Sequence, residues 1–391
     1  ANDLLCKISS SMRSWRPETR GIAIDWTAWG EIGMASRGSV PTVMAALGID
    51  MLPPESGVPT IRRELTYGDT RGEVLVAGRL GAWTEEKDPT GGLDTEETNA
   101  LLAERERPLV MIGEVKAAKL YGGLVAETTL DPTVQPFLFD HKVEADLPWL
   151  PGVMGSEGLA EAASLLAPGY RVAELIEQQN LGALKFHRDE PKTLRITVNL
   201  YPTADGDLLG EAELQSIFQP AKSELPPQIK DHFAATVRLT QDEAAAPMVD
   251  FDPPVELPIT QEEVYELFFH GPTYQVIEGA VVAGNRAVTL MANDLGPNAE
   301  PANVDELLAP RHFELLVQTA ALWSMKTKGS MALPAGYARG AIYRDPASAG
   351  DKRLYAVATT DNDGESYNAQ IVDSDGNVYA ELSDYRTVSL A

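Results

Sequence analysis

The stretch DHKVEADLPWLPGVMGSEG, residues 140–158, sets a histidine beside an aspartate, then a proline–glycine step, then an apolar run. The chain has five histidines in 391 residues: His141, His187, His232, His270 and His312. A neutral imidazole suits proton abstraction, because its ordinary pKa lies near working pH. In PRHFELLVQTAALWSM, residues 310–325, Glu314 and Gln318 stand four residues apart, one helical turn on one face. A carboxyl on a buried helix is desolvated, which raises its pKa and lets it keep a proton to donate. Gly152 opens the other apolar run, and N–H groups at a helix N-terminus point outwards and can polarise a carbonyl. Pro151 suits a helix entry, and Gly152 lets a ligand approach the backbone. Each feature alone has a plainer reading. A single histidine is more often a satisfied polar residue, and Glu314 stands three residues after Arg311, a possible partner. His187, His232 and His312 read as surface or packing residues. Asp140 is expected outside any pocket that His141 faces, since neighbouring side chains point opposite ways.

Those residues need elements to hold them. LRITVNLY, 194–201, alternates apolar and polar residues as a half-buried strand does. TADGD, DNDGES and DSDGNVY put Asp-Gly turns between strand-like runs, as antiparallel hairpins do. Two long apolar helices interrupt this β-rich region, one after Pro151 and one over 310–325. A helix apolar nearly all round is buried on most sides. The pattern reads as one unit present twice, each an antiparallel sheet around a central helix. The first 82 residues differ. Helical NDLLCKISSSM, PTVMAALGIDML and GVPTIRREL alternate with strand-like GIAIDW and GEVLVAG, which suggests an α/β sheet. Trp15, Trp26 and Trp29 are expected to pack there. The polar, Gly/Pro-bearing stretch 83–108 reads as a linker.

Bulk properties narrow the function. Two or three domains are expected from 391 residues. Acidic residues number 58 and basic residues 32, a net charge of −26, which argues against nucleic acid or an anionic membrane as partner. The single cysteine, Cys6, allows no internal disulfide and no zinc cage and fits a reducing, cytoplasmic setting. No apolar run reaches the ~18 residues of a membrane span. The start ANDLLCK reads as a cut inside a longer chain.

Three motifs then fall in order. DHKVEADLPWLPG resembles the histidine motif of polyketide synthase dehydratase domains, with Ala145 where the family has glycine and Leu150-Pro151-Gly152 one residue late. FFHGPTYQ, 268–275, resembles the family's Tyr-Gly-Pro-x-Phe-Gln stretch, with His270 in place of the tyrosine before Gly271, Pro272 and Tyr274. ELLVQ, 314–318, resembles its Asp-x-x-x-Gln signature, with Glu314 for the aspartate. The resemblance covers about 109–391. It implies an α+β double hotdog, two antiparallel sheets each wrapped around a central helix, with halves at about 109–250 and 251–391. It implies dehydration of a β-hydroxyacyl thioester to the enoyl thioester. His141 would be the base, Glu314 the acid and Gln318 its hydrogen-bonding support. Gly152 and Pro151 would serve the thioester carbonyl, with Gly271, Pro272, Tyr274 and His270 near the substrate. No cofactor or metal is expected. The partners would be an acyl carrier protein bearing the substrate on phosphopantetheine, the rest of the synthase chain and a second copy in a homodimer. Residues 1–82 resemble the C-terminal end of a short-chain ketoreductase, a partial α/β, Rossmann-like fragment in which Asn2 matches the motif asparagine. Such a fragment would lack the catalytic tyrosine and the dinucleotide loop. Two rival readings stand beside these: a hotdog isomerase or hydratase, and a non-catalytic scaffold.

Overall fold

A computed structural model describes residues 2–68, 70–81, 89–118, 123–144, 146–218 and 228–389. The chain forms two compact units, 1–93 with 119–121, and 94–118 with 122–391.

In the first unit, helix α1 (Asn2–Trp15) precedes strand β1 (Ile22–Trp26). Helices α2 (Val40–Ala46) and α3 (Pro54–Thr66) lead to strand β2 (Gly72–Val76). Both helices are entered through a proline, whose fixed φ suits a first turn. β1 and β2 pair in parallel, Ile22 opposite Gly72. Arg20 ties the unit together by donating to the carbonyls of Glu64 and Thr70. Trp26 and Trp29 pack at 4.8 Å, but Trp15 is exposed, so it is not the packing residue its type suggests. Exposed Leu4, Leu5 and Ile8 share α1 with it.

The second unit begins inside the stretch expected to be linker. Asp94 accepts the Glu97 N–H and caps helix α4 (Thr95–Ala103). Asn99 then pairs with both backbone groups of Val115, docking α4 on strand β3 (Glu114–Ala118). β4 (Gly123–Leu130) and a short helix α5 (Pro136–Phe139) lead to the first central helix, α6 (Gly152–Leu165). Four strands follow: β5 (Arg171–Asn180), β6 (Lys192–Pro202), β7 (Leu208–Phe218) and β8 (Gln228–Thr240). The second half follows the same plan, with an extra short strand and helix placed before its first two sheet strands. β9 (Ile259–Thr260), helix α7 (Gln261–Tyr265), β10 (Ile277–Ala283) and β11 (Arg286–Met291) precede the second central helix, α8 (Pro310–Lys328). β12 (Ala332–Ile342), β13 (Leu354–Thr359), β14 (Ser366–Asp373) and β15 (Val378–Ser389) follow.

The strands form one sheet of 13, in the order β3-β4-β6-β7-β8-β5-β12-β15-β14-β13-β11-β10-β9. Apart from the short β9, which extends the far edge of the second half, the two halves match strand for strand. In each, the strand after the central helix crosses to the far side of its half and pairs with that half's last strand, β5 with β8 and β12 with β15. Those crossing strands, β5 and β12, pair antiparallel with each other, Gly336 opposite Gln179, and join the halves into one sheet. A pseudo-two-fold passing between them relates α6 to α8. This is the double hotdog expected from the sequence, although its two sheets are continuous. β6 also follows the alternation, with Leu194, Ile196 and Val198 buried.

Both central helices are enclosed because the sheet closes tightly on them. Every residue from Val153 to Ala163 of α6 is buried. Gly155 and Gly158 let strands lie close: a Cβ on Gly155 would stand 2.7 Å from the Phe233 ring, and one on Gly158 3.0 Å from Ile196. The helix also buries two carboxyls, each spent on backbone. Glu161 accepts the N–H groups of Val110 and Met111, and Glu157 those of Leu307 and Leu308, just before α8. α6 therefore fixes the segment from which α8 starts. α8 starts after Ala309, in a left-handed conformation, and stops at Gly329, also left-handed, a common helix C-terminal device. No described helix is long and apolar enough to cross a membrane.

Gly336 marks the join between the halves. Its φ is +151°, and a Cβ there would run into the Gln178 carbonyl oxygen on β5. Replacing it with alanine is expected to cost about 2–3 kcal/mol. Urea unfolding measures this, and an unchanged midpoint would show that the join tolerates a side chain.

Candidate active site

A cavity of about 240 Å³ lies between the halves. His141, Gly152 and Val153 line it from the first half, and His270, Glu314 and Gln318 from the second. Most of the remaining wall is apolar, including Phe233, Phe268, Phe269 and Phe313.

His141 sits on the loop after α5, and two bonds to one residue fix its place. The Trp149 N–H donates to the His141 carbonyl at 3.0 Å, and the His141 ring Nδ1 lies 3.0 Å from the Trp149 carbonyl. A carbonyl only accepts, so Nδ1 carries the proton and Nε2 keeps a lone pair. Burial pushes the His141 pKa down to about 4, with the nearby His270 adding to the shift and Glu314 opposing it. His141 is therefore a neutral base at pH 7. Ala145, where the sequence departs from the glycine of the motif, lies outside the described residues.

Glu314 and Gln318 project from α8 as their spacing requires. The Gln318 amide donates to Glu314 Oε1 at 2.9 Å and to the Tyr274 carbonyl at 3.0 Å. Tyr265 donates its hydroxyl to the Gln318 side-chain oxygen at 2.9 Å and accepts the Ile277 N–H at 2.9 Å, which fixes the amide's orientation. Arg311 instead donates to the Gly296 carbonyl, so the plain reading of Glu314 as its partner fails. The carboxyl's neighbour is His270, with Nε2 3.1 Å from Glu314 Oε1. This is an ion-pair distance without the alignment of a linear hydrogen bond. Burial pushes the Glu314 pKa up, but the His270 contact, with His141 and the Gln318 amide, outweighs burial and holds the carboxyl below its usual range. The sequence argument expected burial to win. It lost because it did not place a histidine beside the carboxyl.

The other expected site residues divide. His270 lines the cavity, its ring stacked on Phe269 at 4.2 Å and 5.4 Å from the His141 ring. Gly152 lines it at the N-terminus of α6. Pro151 is the residue preceding that helix, and Gly271, Pro272 and Tyr274 form a turn beneath His270 rather than the cavity wall. Tyr274 is fully buried. His232 is structural: its ring nitrogens meet the Gly182 carbonyl and the Ser216 hydroxyl, both at 2.8 Å. His312 is buried and its pKa is pushed down to about 4.

Three contributions had no sequence signal. Asp140 does not line the cavity, yet its carboxylate accepts the Thr273 N–H at 2.8 Å and the Thr273 hydroxyl at 2.7 Å. Its carbonyl accepts the Gly271 N–H at 2.7 Å. A side chain on Gly271 would strike the Asp140 carboxylate, so that glycine is required for space. Asn180 stands beside Gly152 and donates to the Pro334 carbonyl at 2.9 Å, with Gln178 donating to Asn180 at 2.7 Å. Ser156 and Tyr337 share a hydrogen bond of 3.2 Å in the cavity wall.

The titration of His141 is directly measurable. Proton NMR of the imidazole should show a midpoint near pH 4. Because the folded value lies below the unfolded one of ~6.5, the native state rejects a proton that the unfolded chain accepts. Stability should therefore fall as pH drops from ~6.5 towards 4, by at most ~1.4 kcal/mol per pH unit from this residue. A midpoint near 6.5 would mean that the ring is not enclosed as described.

A family model for the polyketide synthase dehydratase N-terminal domain matches residues 250–391. No curated protein matches the chain by sequence. Among solved structures, the dehydratase domain from the CurF module of curacin polyketide synthase matches with a TM-score of 0.59 at 18% identity, over 72% of this chain and 99% of that one. A trans-AT polyketide synthase dehydratase domain from Brevibacillus brevis matches with a TM-score of 0.56 at 17% identity, over 73% and 99%. At such identities the likeness is one of fold. By the family match over 250–391 and by the fold of its second unit, the chain is similar to the dehydratase domains of polyketide synthases.

Proposed function

We propose that the second unit removes water from a β-hydroxyacyl thioester and releases the α,β-unsaturated thioester. One observation carries this reading: a neutral histidine with a free Nε2, a carboxyl and a helix N-terminus line one largely apolar cavity, contributed by both halves. His141 Nε2 takes the α-proton. The Cα–H electrons form the new double bond, and the Cβ–O bond breaks with its electrons going to oxygen. The departing oxygen takes a proton from the Glu314 end of the cavity and leaves as water. The N-terminus of α6 at Gly152 polarises the thioester carbonyl, which acidifies the α-proton. The apolar walls fit an acyl chain, and exclusion of water strengthens each of these interactions. An acyl carrier protein of the synthase presents the substrate on its phosphopantetheine arm.

The fragment reading of residues 1–82 stands as part of this proposal. Two parallel strands flanked by helices, with Leu4, Leu5, Ile8 and Trp15 exposed on α1, suit the end of a larger α/β domain, such as a ketoreductase upstream in a synthase.

Turnover of a β-hydroxyacyl thioester, followed by enoyl absorbance, tests the reading. His141→Ala should lose about 1000-fold in rate. If that variant keeps more than a few per cent of the rate, His141 is not the base. Glu314→Asp withdraws the carboxyl by about 1.5 Å, one C–C bond, from contacts of 3.1 and 2.9 Å with His270 and Gln318. A loss of about 100-fold is expected, although aspartate is the residue of the motif. Gln318→Ala should be milder, about tenfold, because it removes an orienting hydrogen bond. Conversion of enoyl to saturated or shifted products with no dehydration would favour a related hotdog chemistry instead.

A further inference from the structure

Among the described residues, the only histidine or carboxylic acid side chains lining the cavity are those of His141, His270 and Glu314. No described lysine or arginine lines it. Glu314 nonetheless has a side chain only 6% exposed, and that of His270 is 4% exposed. The phenols of Tyr265, Tyr274 and Tyr385 near Glu314 stay neutral, their pKa values pushed up by burial. Arg311, on the same helix, is turned to the Gly296 carbonyl. Among the described residues, the cation that can balance an ionised Glu314 is thus an imidazolium, and the nearest imidazole is 3.1 Å away.

His270 is also held in place for that duty. Phe269 stacks on its ring at 4.2 Å and 25°, and the Tyr274 ring lies nearly parallel to it at 6.5 Å. Its carbonyl accepts the Gln275 amide at 3.1 Å, and its backbone bridges to His141. Its Nδ1 has no partner among the described residues, so Glu314 is the polar group within reach of the ring.

We infer that His270 and Glu314 hold one proton between them, and that His270 acts as the proton reservoir that keeps Glu314 supplied as an acid. This rests on the dehydratase reading and departs from a site in which the carboxyl works alone. Before reaction the pair carries one proton, either as carboxylic acid beside neutral imidazole or as carboxylate beside imidazolium. His270 Nε2 passes the proton to the carboxyl, and the carboxyl passes it to the departing hydroxyl. The products are water, a carboxylate beside a neutral His270, and a protonated His141. The proton on His141 then returns to the pair, whose ring lies 5.4 Å away, and the starting state is restored. His270 is a positioning residue in this scheme, acting through Glu314.

Two experiments on the full chain test it. Histidine NMR titration of the wild type and of Glu314→Gln needs no substrate. His270 should lose its proton at least one pH unit lower in the variant, and identical titrations would overturn the inference. The second experiment uses His270→Gln, which keeps a hydrogen-bond donor beside Glu314 but cannot ionise. kcat should fall about 10–100-fold while KM stays within about threefold of wild type. The alkaline limb of the pH–rate profile should move to lower pH, because the proton then rests on a carboxyl, a weaker base than imidazole. A His270→Gln enzyme with the wild-type kcat and profile would make His270 a mere wall of the cavity. A wild type that forms no enoyl product would instead sink the dehydratase reading, leaving the proton coupling to be decided by the titration.

Discussion

The site depends on one clasp between the halves of the second unit. Asp140, next to His141, holds the turn that follows His270 through its carbonyl, which takes the Gly271 N–H, and its carboxylate, which takes the N–H and hydroxyl of Thr273. The His141 loop belongs to the first half and the turn to the second. Three hydrogen bonds therefore set the distance between His141 and the His270–Glu314 pair. Gly271 is glycine because the carboxylate occupies the space where a Cβ would be. The sheet join of β5 and β12 brings the halves together, and this clasp ties them directly beside His141 and His270.

Burial acts on the two ends in opposite senses. For His141 it disfavours the cation, and the Trp149 carbonyl selects the tautomer, so the result is a neutral base with its lone pair free. For Glu314 burial disfavours the anion, but an imidazole 3.1 Å away reverses the outcome. One largely apolar cavity thus contains an imidazole kept unprotonated and, in the proposed scheme, a carboxyl whose proton is shared. A difference in proton affinity between two groups a few ångströms apart is what paired acid–base chemistry requires.

The repeat in topology makes the asymmetry of the chemistry legible. α6 and α8 stand in equivalent places, and each carries an acidic residue four positions before another polar one. On α6 these are Glu157 and Glu161, and both are turned to backbone N–H groups of neighbouring segments. On α8 they are Glu314 and Gln318, and both face the cavity. The first helix contributes its N-terminus and anchorage, the second its side chains. Glu157 links the two, since it secures Leu307 and Leu308 directly before the segment that starts α8.

The sequence by itself determined the elements and the order of the parts. Alternation in residues 194–201, the Asp-Gly turns and the two apolar helices are local signals, and each survives folding because period and turn chemistry depend on near neighbours. The double hotdog was legible as well, and the motif residues His141, Glu314 and Gln318 line one cavity. Tertiary structure alone decided the rest. It turned Glu314 to His270 rather than Arg311, and so reversed the expected direction of its pKa. It gave Asp140, set aside as lying outside the pocket, the task of joining the halves. It made a helix of Thr95–Ala103 inside an apparent linker by pairing Asn99 with Val115. Each of these outcomes rests on a contact between residues far apart in the chain, and the strength of an electrostatic or hydrogen-bonded contact depends on distance and burial, which spacing along a sequence does not encode.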